Sequence, residues 1–395
     1  AISVAASSIN MILDAAKDIA DQEMFPVFRE MDEKPAYYED GKVFAHPSLG
    51  KILEAVAENG WIGSHFNYEH GGSQMPKMVH GAANHIFEAA NNHFPGYIGL
   101  TTGAASLIKS FGSQDLIDTY LPKMIEGKWL GTMALTEPQA GSSLSDITTS
   151  ACPSENGYYK IKGQKIFISG GDHQFGENFI HLTLARIEGA PAGTKGISLF
   201  VVPKFRPSNN GNLTFNDVLT AGDFQKMGQR GYTTTHLVYG ENNDCHGWLV
   251  GEPHRGLKYM FQMMNEARID VGLTAASTAT AAYYASLQYA KERPQGRLIN
   301  NKGEKDLAAD QTLIINHPDV RRMLLLQKAV VEGALSLLLE CMRYEDITDT
   351  AEGEEKENSH LLLELLTPIA KTYPSEMGQV SISSGLQILG GYGYC

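Results

Sequence analysis

Cysteine is scarce. Cys152, Cys245, Cys341 and Cys395 are the four in 395 residues, and none forms a Cys-x-x-Cys pair. That spacing offers neither a zinc site nor a disulfide framework, and thiols this sparse fit a reducing compartment. No signal-peptide pattern is read in the first residues, so the expected location is cytoplasmic. Basic residues are also few: 32 Lys and Arg face 45 Asp and Glu, a net charge of −13. Nucleic-acid affinity comes mainly from clustered Lys and Arg, so no nucleic-acid partner is expected. A local basic pocket for one anionic cofactor stays open. His80, His85 and His93 lack the i, i+4 spacing of a helical two-histidine metal face, and no metal is expected. Gly189-Ala-Pro-Ala-Gly-Thr-Lys195 misses the Walker pattern in both spacing and residue order, and reads as a hairpin turn. Val271 to Ala290 carries no charge, but its Thr, Ser, Gln and Tyr residues indicate a buried Ala-rich helix rather than a membrane span.

What is present is ordinary globular sequence. Hydrophobic residues make up 43% and charged residues 19%, and the length suits two or three domains. Residues 1–128 read as helices: Ile9, Ile12, Leu13, Ala16 and Ile19 recur at helical spacing, as do Leu49, Ile52, Leu53 and Val56 after Pro47-Ser48. Helices are also expected over Met75–Ala90 and Thr101–Phe111, with a turn or two more before Pro122. From Trp129 to about Val250 the period changes to two. Strands are expected over Trp129–Leu135, Tyr158–Ile168, Ile180–Ile187, Ile197–Val202, Leu213–Asn216 and Thr235–Tyr239, in a small barrel or sandwich. Helical spacing returns over 256–395. Gln295–Asn316 reads as a polar excursion, Asp349–Ser359 as an acidic solvated loop, and Leu361–Leu389 as a last helix. The divisions expected along the chain are 1–128, 129–255 and 256–395.

Two stretches stand out. Met133–Ser143 reads Met-Ala-Leu-Thr-Glu-Pro-Gln-Ala-Gly-Ser-Ser, and Gly163–Gly171 reads Gly-Gln-Lys-Ile-Phe-Ile-Ser-Gly-Gly. Each is an apolar strand ending in small, hydroxyl-bearing residues. Such ends suit a flat polar ligand, with apolar side chains on a ring face and hydroxyls and N–H groups at its edge. Either stretch alone is also an ordinary strand with its turn. Together, in this order, they resemble the flavin signature of the acyl-CoA dehydrogenase family: Leu/Val-Thr-Glu-Pro-x-Ala-Gly-Ser, then Gly-x-Lys-x-Trp/Phe-Ile-Ser/Thr-x-Gly.

The resemblance extends over nearly the whole chain. It implies an α+β fold: an N-terminal helical domain, a middle β-barrel or sandwich domain and a C-terminal helical bundle. It implies FAD as cofactor, held by Met133, Leu135, Thr136, Gly141 and Ser142, with Phe167 and Ser169 at the ring; Phe167 stands where the family commonly has Trp. Lys226-Met-Gly-Gln-Arg230 resembles the family's last β segment, and Leu249–Gly256 its entry into the bundle. Ala290-Lys-Glu-Arg-Pro-Gln-Gly-Arg297 falls where the family has an Arg that reaches a neighbouring subunit's flavin pyrophosphate. Arg293 is the match and Arg297 the rival, because the usual Arg-x-x-Phe-Gly is not kept. Gln387-Ile-Leu-Gly-Gly-Tyr-Gly-Tyr394 resembles the segment that binds the adenosine side, which assigns Gln387, Ile388 and Gly391 to the cofactor. Sites shared across subunits imply a homodimer or homotetramer.

The implied reaction is α,β-dehydrogenation of an acyl-CoA thioester to the trans-2-enoyl-CoA, a step of fatty acid β-oxidation. A Glu takes the α-proton, a β-hydride passes to flavin N5, and electron-transfer flavoprotein takes the electrons. Ser142, Asn265 and Arg268 are assigned to substrate. The family's Glu is expected beyond Cys395, since both ends of the chain read as cuts, so no catalytic residue is assigned within it. A minority of the family carries the Glu on the helix containing Met264–Ile269. There Glu266 is one position off register, with Ala267 in its place, and one residue rotates a helical side chain by about 100°. Pro-Gln-Gly-Arg and the long excursion resemble the longer bacterial branch, which includes broad-range fatty acyl-CoA and methylmercaptopropionyl-CoA dehydrogenases. The alternatives are an acyl-CoA oxidase, the family's DNA-binding flavoprotein relative, which the charge disfavours, and a helical scaffold without cofactor.

Overall fold

A computed structural model describes residues 6–208, 210–299 and 302–395. The chain opens with helices α1 (Ala6–Ile19) and α2 (Phe28–Glu33), then a hairpin of β1 (Tyr37–Glu39) and β2 (Lys42–Phe44). Helices α3 (Ser48–Glu58), α4 (Lys77–Ala90), α5 (Pro95–Phe111) and α6 (Gln114–Ile125) follow. The strand region holds β3 (Trp129–Ala134), β4 (Ser150–Pro153), β5 (Tyr159–Ser169), β6 (Asn178–Ile187) and β7 (Ile197–Pro203). It continues with β8 (Phe205–Pro207), β9 (Leu213–Phe215), β10 (Val218–Asp223), β11 (Thr234–Tyr239) and β12 (His246–Leu249). Helices α7 (Gly256–Glu292), α8 (Pro318–Thr350), α9 (Gly353–Ile388) and α10 (Gly391–Tyr394) complete it. The helical, β-rich and helical order of the expected α+β fold is present.

The chain groups into two units that cut across that order. One comprises Ala15–Met75 and Asn91–Ala267; the other comprises residues up to Asp14, Pro76–Ala90 and Arg268–Cys395. In the first, β5, β12, β7, β6 and β4 pair in a closed circuit that returns to β5, so the β region is a barrel. Closure leaves those strands no free edge against each other. β6 is buried along almost its whole length, because both faces are covered. Ile180, Leu182 and Leu184 pack with α5 and α6 residues such as Leu107, Leu121 and Met124. Ala185 and Ile187 face Phe200, Val202 and Leu237 on the other side. An apolar run without alternation is what such a doubly covered strand needs.

In the second unit, α7, α8 and α9 pack through Leu273, Ala276, Leu338 and Ala370. The uncharged stretch Val271–Ala290 lies inside α7, and among the described residues no helix is long and apolar enough to cross a membrane. Its alanines 276, 279 and 290 are buried.

Several local expectations are corrected. Pro122 lies inside α6, where only a turn or two before it was expected. A helix-interior proline costs about 3 kcal/mol; in α6 it is offset by burial of Tyr120, Leu121, Met124 and Ile125 beside it. The acidic segment is helical from Gly353 onward, with the break confined to Ala351 and Glu352. α5 begins at Pro95, with proline in the first helical turn, where its missing N–H loses no helical bond. The short strands β1, β2, β4, β8, β10 and β12 were not legible from alternation, being only three to six residues long.

Candidate functional site

The two signature stretches come together in the first unit. The Ile166 N–H donates to the Thr136 carbonyl at 2.9 Å. Beneath that contact, Lys165 Nζ donates to the Leu135 carbonyl at 2.9 Å and to Glu137 Oε1 at 2.8 Å. Both side chains of this ion pair are fully buried. Glu137 is a hub: it also accepts from Thr148 N at 2.7 Å, Thr148 Oγ1 at 2.8 Å, Thr149 N at 3.1 Å and Gln139 Nε2 at 2.7 Å. Burial pushes its carboxyl up, but the charge of Lys165 and the hydrogen bonds from Lys165, Thr149 and Thr148 outweigh that and hold it at about 2. Burial lowers Lys165 to about 8 against the opposing pull of Glu137. The pair is charged at neutral pH and fully engaged.

Around this junction the expected cofactor residues present a mixed edge. Met133 and Thr136 are half-buried, Leu135 is buried, and Gly141 and Ser142 are exposed. A Cβ added at Gly141 would meet no atom within 4 Å, so that turn faces open space. Phe167 is 56% exposed and Ser169 half-buried, paired across to Thr234 of β11. The Phe167 ring lies 4.5 Å from that of Phe224. A Cβ on Gly171 would fall 2.1 Å from Thr235 Oγ1, so this glycine serves packing.

The other expected cofactor residues lie in the second unit. A cavity of about 480 Å³ is lined by Tyr289, Arg293, Gln295, Ile314, Ile388, Gly390, Gly391 and Tyr392, among others. The Arg293 guanidinium lies 5.0 Å from the Tyr289 ring and 5.5 Å from the Tyr392 ring. Added Cβ atoms at Gly390 and Gly391 would meet nothing within 4 Å. A cation set against two rings beside an open glycine backbone suits a phosphate-bearing, flat-based ligand. Gln387 stands next to the cavity, its Oε1 accepting from Tyr394 OH at 3.0 Å. The rival Arg297 is tied into the excursion, with Nε donating to the Ala309 carbonyl at 2.6 Å, and does not line the cavity. Asn265 and Arg268 are half-buried on α7, three positions apart and so on one face. Glu266 is half-buried on the same turn.

The ring clamp of Tyr289 and Tyr392 and the hub of Glu137 and Lys165 were given no role from sequence. For the hub a signal existed. Lys165 shares strand parity with buried Ile161, and a charged residue at an inward position requires a buried partner.

Family models cover nearly the whole chain: acyl-CoA dehydrogenase N-terminal domain over residues 7–128, middle domain over 132–241 and C-terminal domain over 254–395. A butyryl-CoA dehydrogenase of Syntrophomonas wolfei is 36% identical over 398 residues, spanning 98% of this chain and 64% of the relative. The 3-methylmercaptopropionyl-CoA dehydrogenase of Ruegeria pomeroyi is 38% identical over 364 residues, spanning 92% of this chain and 60% of the relative. The chain thus spans about 60–64% of the length of these curated relatives. Among solved structures, an acyl-CoA dehydrogenase from Bacillus anthracis complexed with FAD matches with a TM-score of 0.80 at 23% identity, over 100% of this chain and 63% of that one. Butyryl-CoA dehydrogenase from Megasphaera elsdenii matches with a TM-score of 0.78 at 22% identity, over 100% and 91%.

Proposed function

Because the chain belongs to the acyl-CoA dehydrogenase family, we propose that it binds FAD and serves the α,β-dehydrogenation of an acyl-CoA thioester to the trans-2-enoyl-CoA. The observation that carries this reading is the joined pair of strand ends, Ile166 bonded to Thr136, with Phe167 turned outward next to them. Bound FAD supplies the acceptor for the β-hydride. The chain's own groups orient and polarise. Phe167 covers a ring face; Thr136, Ser142 and Ser169 offer hydroxyls to ring-edge heteroatoms. Arg293 offers a planar cation to the pyrophosphate, with Gly391 and Ile388 beside it for the adenosine side. Ser142, Asn265 and Arg268 are assigned to the coenzyme A thioester. Hydrogen bonds to the thioester oxygen would stabilise the developing enolate. Glu137 is not the base in this reading: among the described residues its hydrogen bonds all run to Gln139, Thr148, Thr149 and Lys165 within the fold, and its carboxylate is locked. Glu266 is not the base either, being out of the helical register. Electron-transfer flavoprotein is the proposed electron acceptor, as the family resemblance implies.

Titration of the apoprotein with FAD tests the reading directly. Stoichiometric binding with a structured flavin spectrum supports it, and no binding at any protein concentration refutes it. Ser169→Ala removes one hydrogen bond at the ring, worth roughly 0.5–1.5 kcal/mol, so FAD affinity should fall about two- to tenfold. Equal affinities for both proteins would remove Ser169 from the site.

Arg293 and Gln387 are proposed to serve a neighbouring subunit's flavin, which requires at least a dimer. FAD retention should then fall on dilution, in step with dissociation measured by light scattering. A monomer that keeps stoichiometric FAD would defeat the shared site.

A further inference from the structure

β5 carries one more residue than the strand opposite it. Lys165 pairs with Leu237 and Ile168 with Thr235, so three steps on β5 answer two on β11. The extra residue is absorbed at Phe167, whose φ of 58° is left-handed, a region that bulky side chains rarely adopt. In a regular strand, residues two apart lie on one face. Here Lys165 is wholly buried while Phe167 is 56% exposed. The bulge therefore sends the anchor inward and the aromatic ring outward.

What holds the bulge is the residue two positions before it. Lys165 is fastened to the Leu135 carbonyl and to Glu137, and Glu137 gathers the amides of Thr148 and Thr149 from the far side of the Thr136–Ser142 turn. One buried contact thus sets the position of both expected ring-binding segments at once. Stability alone does not explain it. A buried ion pair is often no more stabilising than an apolar pair of similar size, because desolvation offsets the attraction. An ammonium with two fixed acceptors supplies direction, which an apolar contact lacks.

We propose that Glu137 and Lys165 are positioning residues for the flavin edge: their buried pair holds the Phe167 bulge and the Thr136–Ser142 turn in the geometry that receives the ring. This rests on the reading that the ring lies against Phe167 and Ser169. Neither residue touches the cofactor in this account; both act through the backbone they fasten.

The test compares the wild type, Lys165→Met, the double variant Glu137→Gln/Lys165→Met, and Thr148→Val. Two quantities are measured for each: the thermal midpoint of the apoprotein, and the FAD dissociation constant with the flavin's visible band shape. Lys165→Met leaves a lone buried carboxylate and should lower the midpoint strongly. The double variant removes both charges, keeps one acceptor oxygen for the Thr148 amide and hydroxyl, which Glu137 Oε2 accepts in the wild type, and should recover part of that midpoint. It should nonetheless bind FAD at least tenfold more weakly than the wild type, with an altered band shape. Recovery of both midpoint and affinity to within twofold of the wild type would make the pair structural only and overturn the proposal. Thr148→Val, at an exposed position, covers the case in which the double variant folds poorly. It removes one donor to Glu137 and should weaken FAD binding at least threefold at a nearly unchanged midpoint; unchanged affinity there overturns the proposal too. A wild type that binds no FAD refutes the proposed function itself, whereas a binding wild type with indifferent variants refutes only the positioning role.

Discussion

Alanine in place of Arg293 is expected to weaken FAD binding about 10- to 100-fold. A charge-assisted hydrogen bond to phosphate is worth roughly 1.5–3 kcal/mol, and among the described residues no carboxylate pairs with this guanidinium to compete for it. Its setting also prescribes the type of cation. Arg293 lies against the rings of both Tyr289 and Tyr392, and a planar guanidinium packs on rings while offering two parallel N–H groups to a phosphate. An ammonium does neither, so Arg293→Lys should recover little of the loss. Tyr392→Ala should give a smaller loss, because it removes the clamp but leaves the charge. Fluorescence titration at fixed ionic strength, above the concentration at which subunits dissociate, checks all three. Arg293→Ala with an affinity within twofold of the wild type would remove the cavity from the flavin site.

Glu88→Gln is expected to stabilise the protein increasingly as pH rises from 5 to 8, by a few kcal/mol at the upper end. Glu88 lies on α4 and is buried. Thr274 Oγ1 of α7 donates to its Oε1 at 2.9 Å, while Oε2 has no hydrogen-bond partner among the described residues. Burial, and then the Asp270 carboxylate, push its acid up to about 8 against the Thr274 bond. Asp270 is itself pushed up to about 7 by burial and by Glu345, with Lys77 opposing. The raised value sets the sign. The unfolded chain ionises Glu88 near pH 4.5 and the folded chain near 8, so over that interval the folded state holds the extra proton. Wild-type stability from this group is complete below the lower value and is lost as pH rises to the upper one. Glutamine has no proton to lose, so the gap between the variant and the wild type should widen with pH. Urea unfolding at pH 5, 6.5 and 8 measures it, and a gap that stays constant across that range would contradict the assigned shift. Asp270→Asn should show the same trend with a smaller span.

Much of the ring edge was legible because its signal is local. Leu135-Thr136 and Ile166–Ser169 are strand ends whose residue types alone suit a flat polar ligand, and the structure joins them through the Ile166–Thr136 hydrogen bond. Arg293 was preferred to Arg297 on motif alone; in the structure Arg293 lines a cavity and Arg297 does not. The clamp was not legible. Tyr289 and Tyr392 are a hundred residues apart in the chain, and an exposed tyrosine near a glycine run has no periodicity to betray it. The packing constraint on Gly171 was not legible for a related reason: it comes from Thr235 on another strand.

The sequence by itself determined the order of helices, strands and helices, the uncharged stretch that became part of α7, and the two flavin-like segments. Each of these depends on residues within a turn or a strand of one another, so spacing and side-chain type suffice. The tertiary structure alone decided the closure of the barrel, the helical course through Pro122, and the approach of buried Glu88 on α4 to Asp270 on α7. It also decided the left-handed bulge at Phe167. That conformation is unfavourable for phenylalanine in isolation, and no local rule would place it there. It is held because Lys165, two residues earlier, finds a carboxylate and a carbonyl on a separate segment, and the free energy of a buried charge depends on partners that only folding brings within reach.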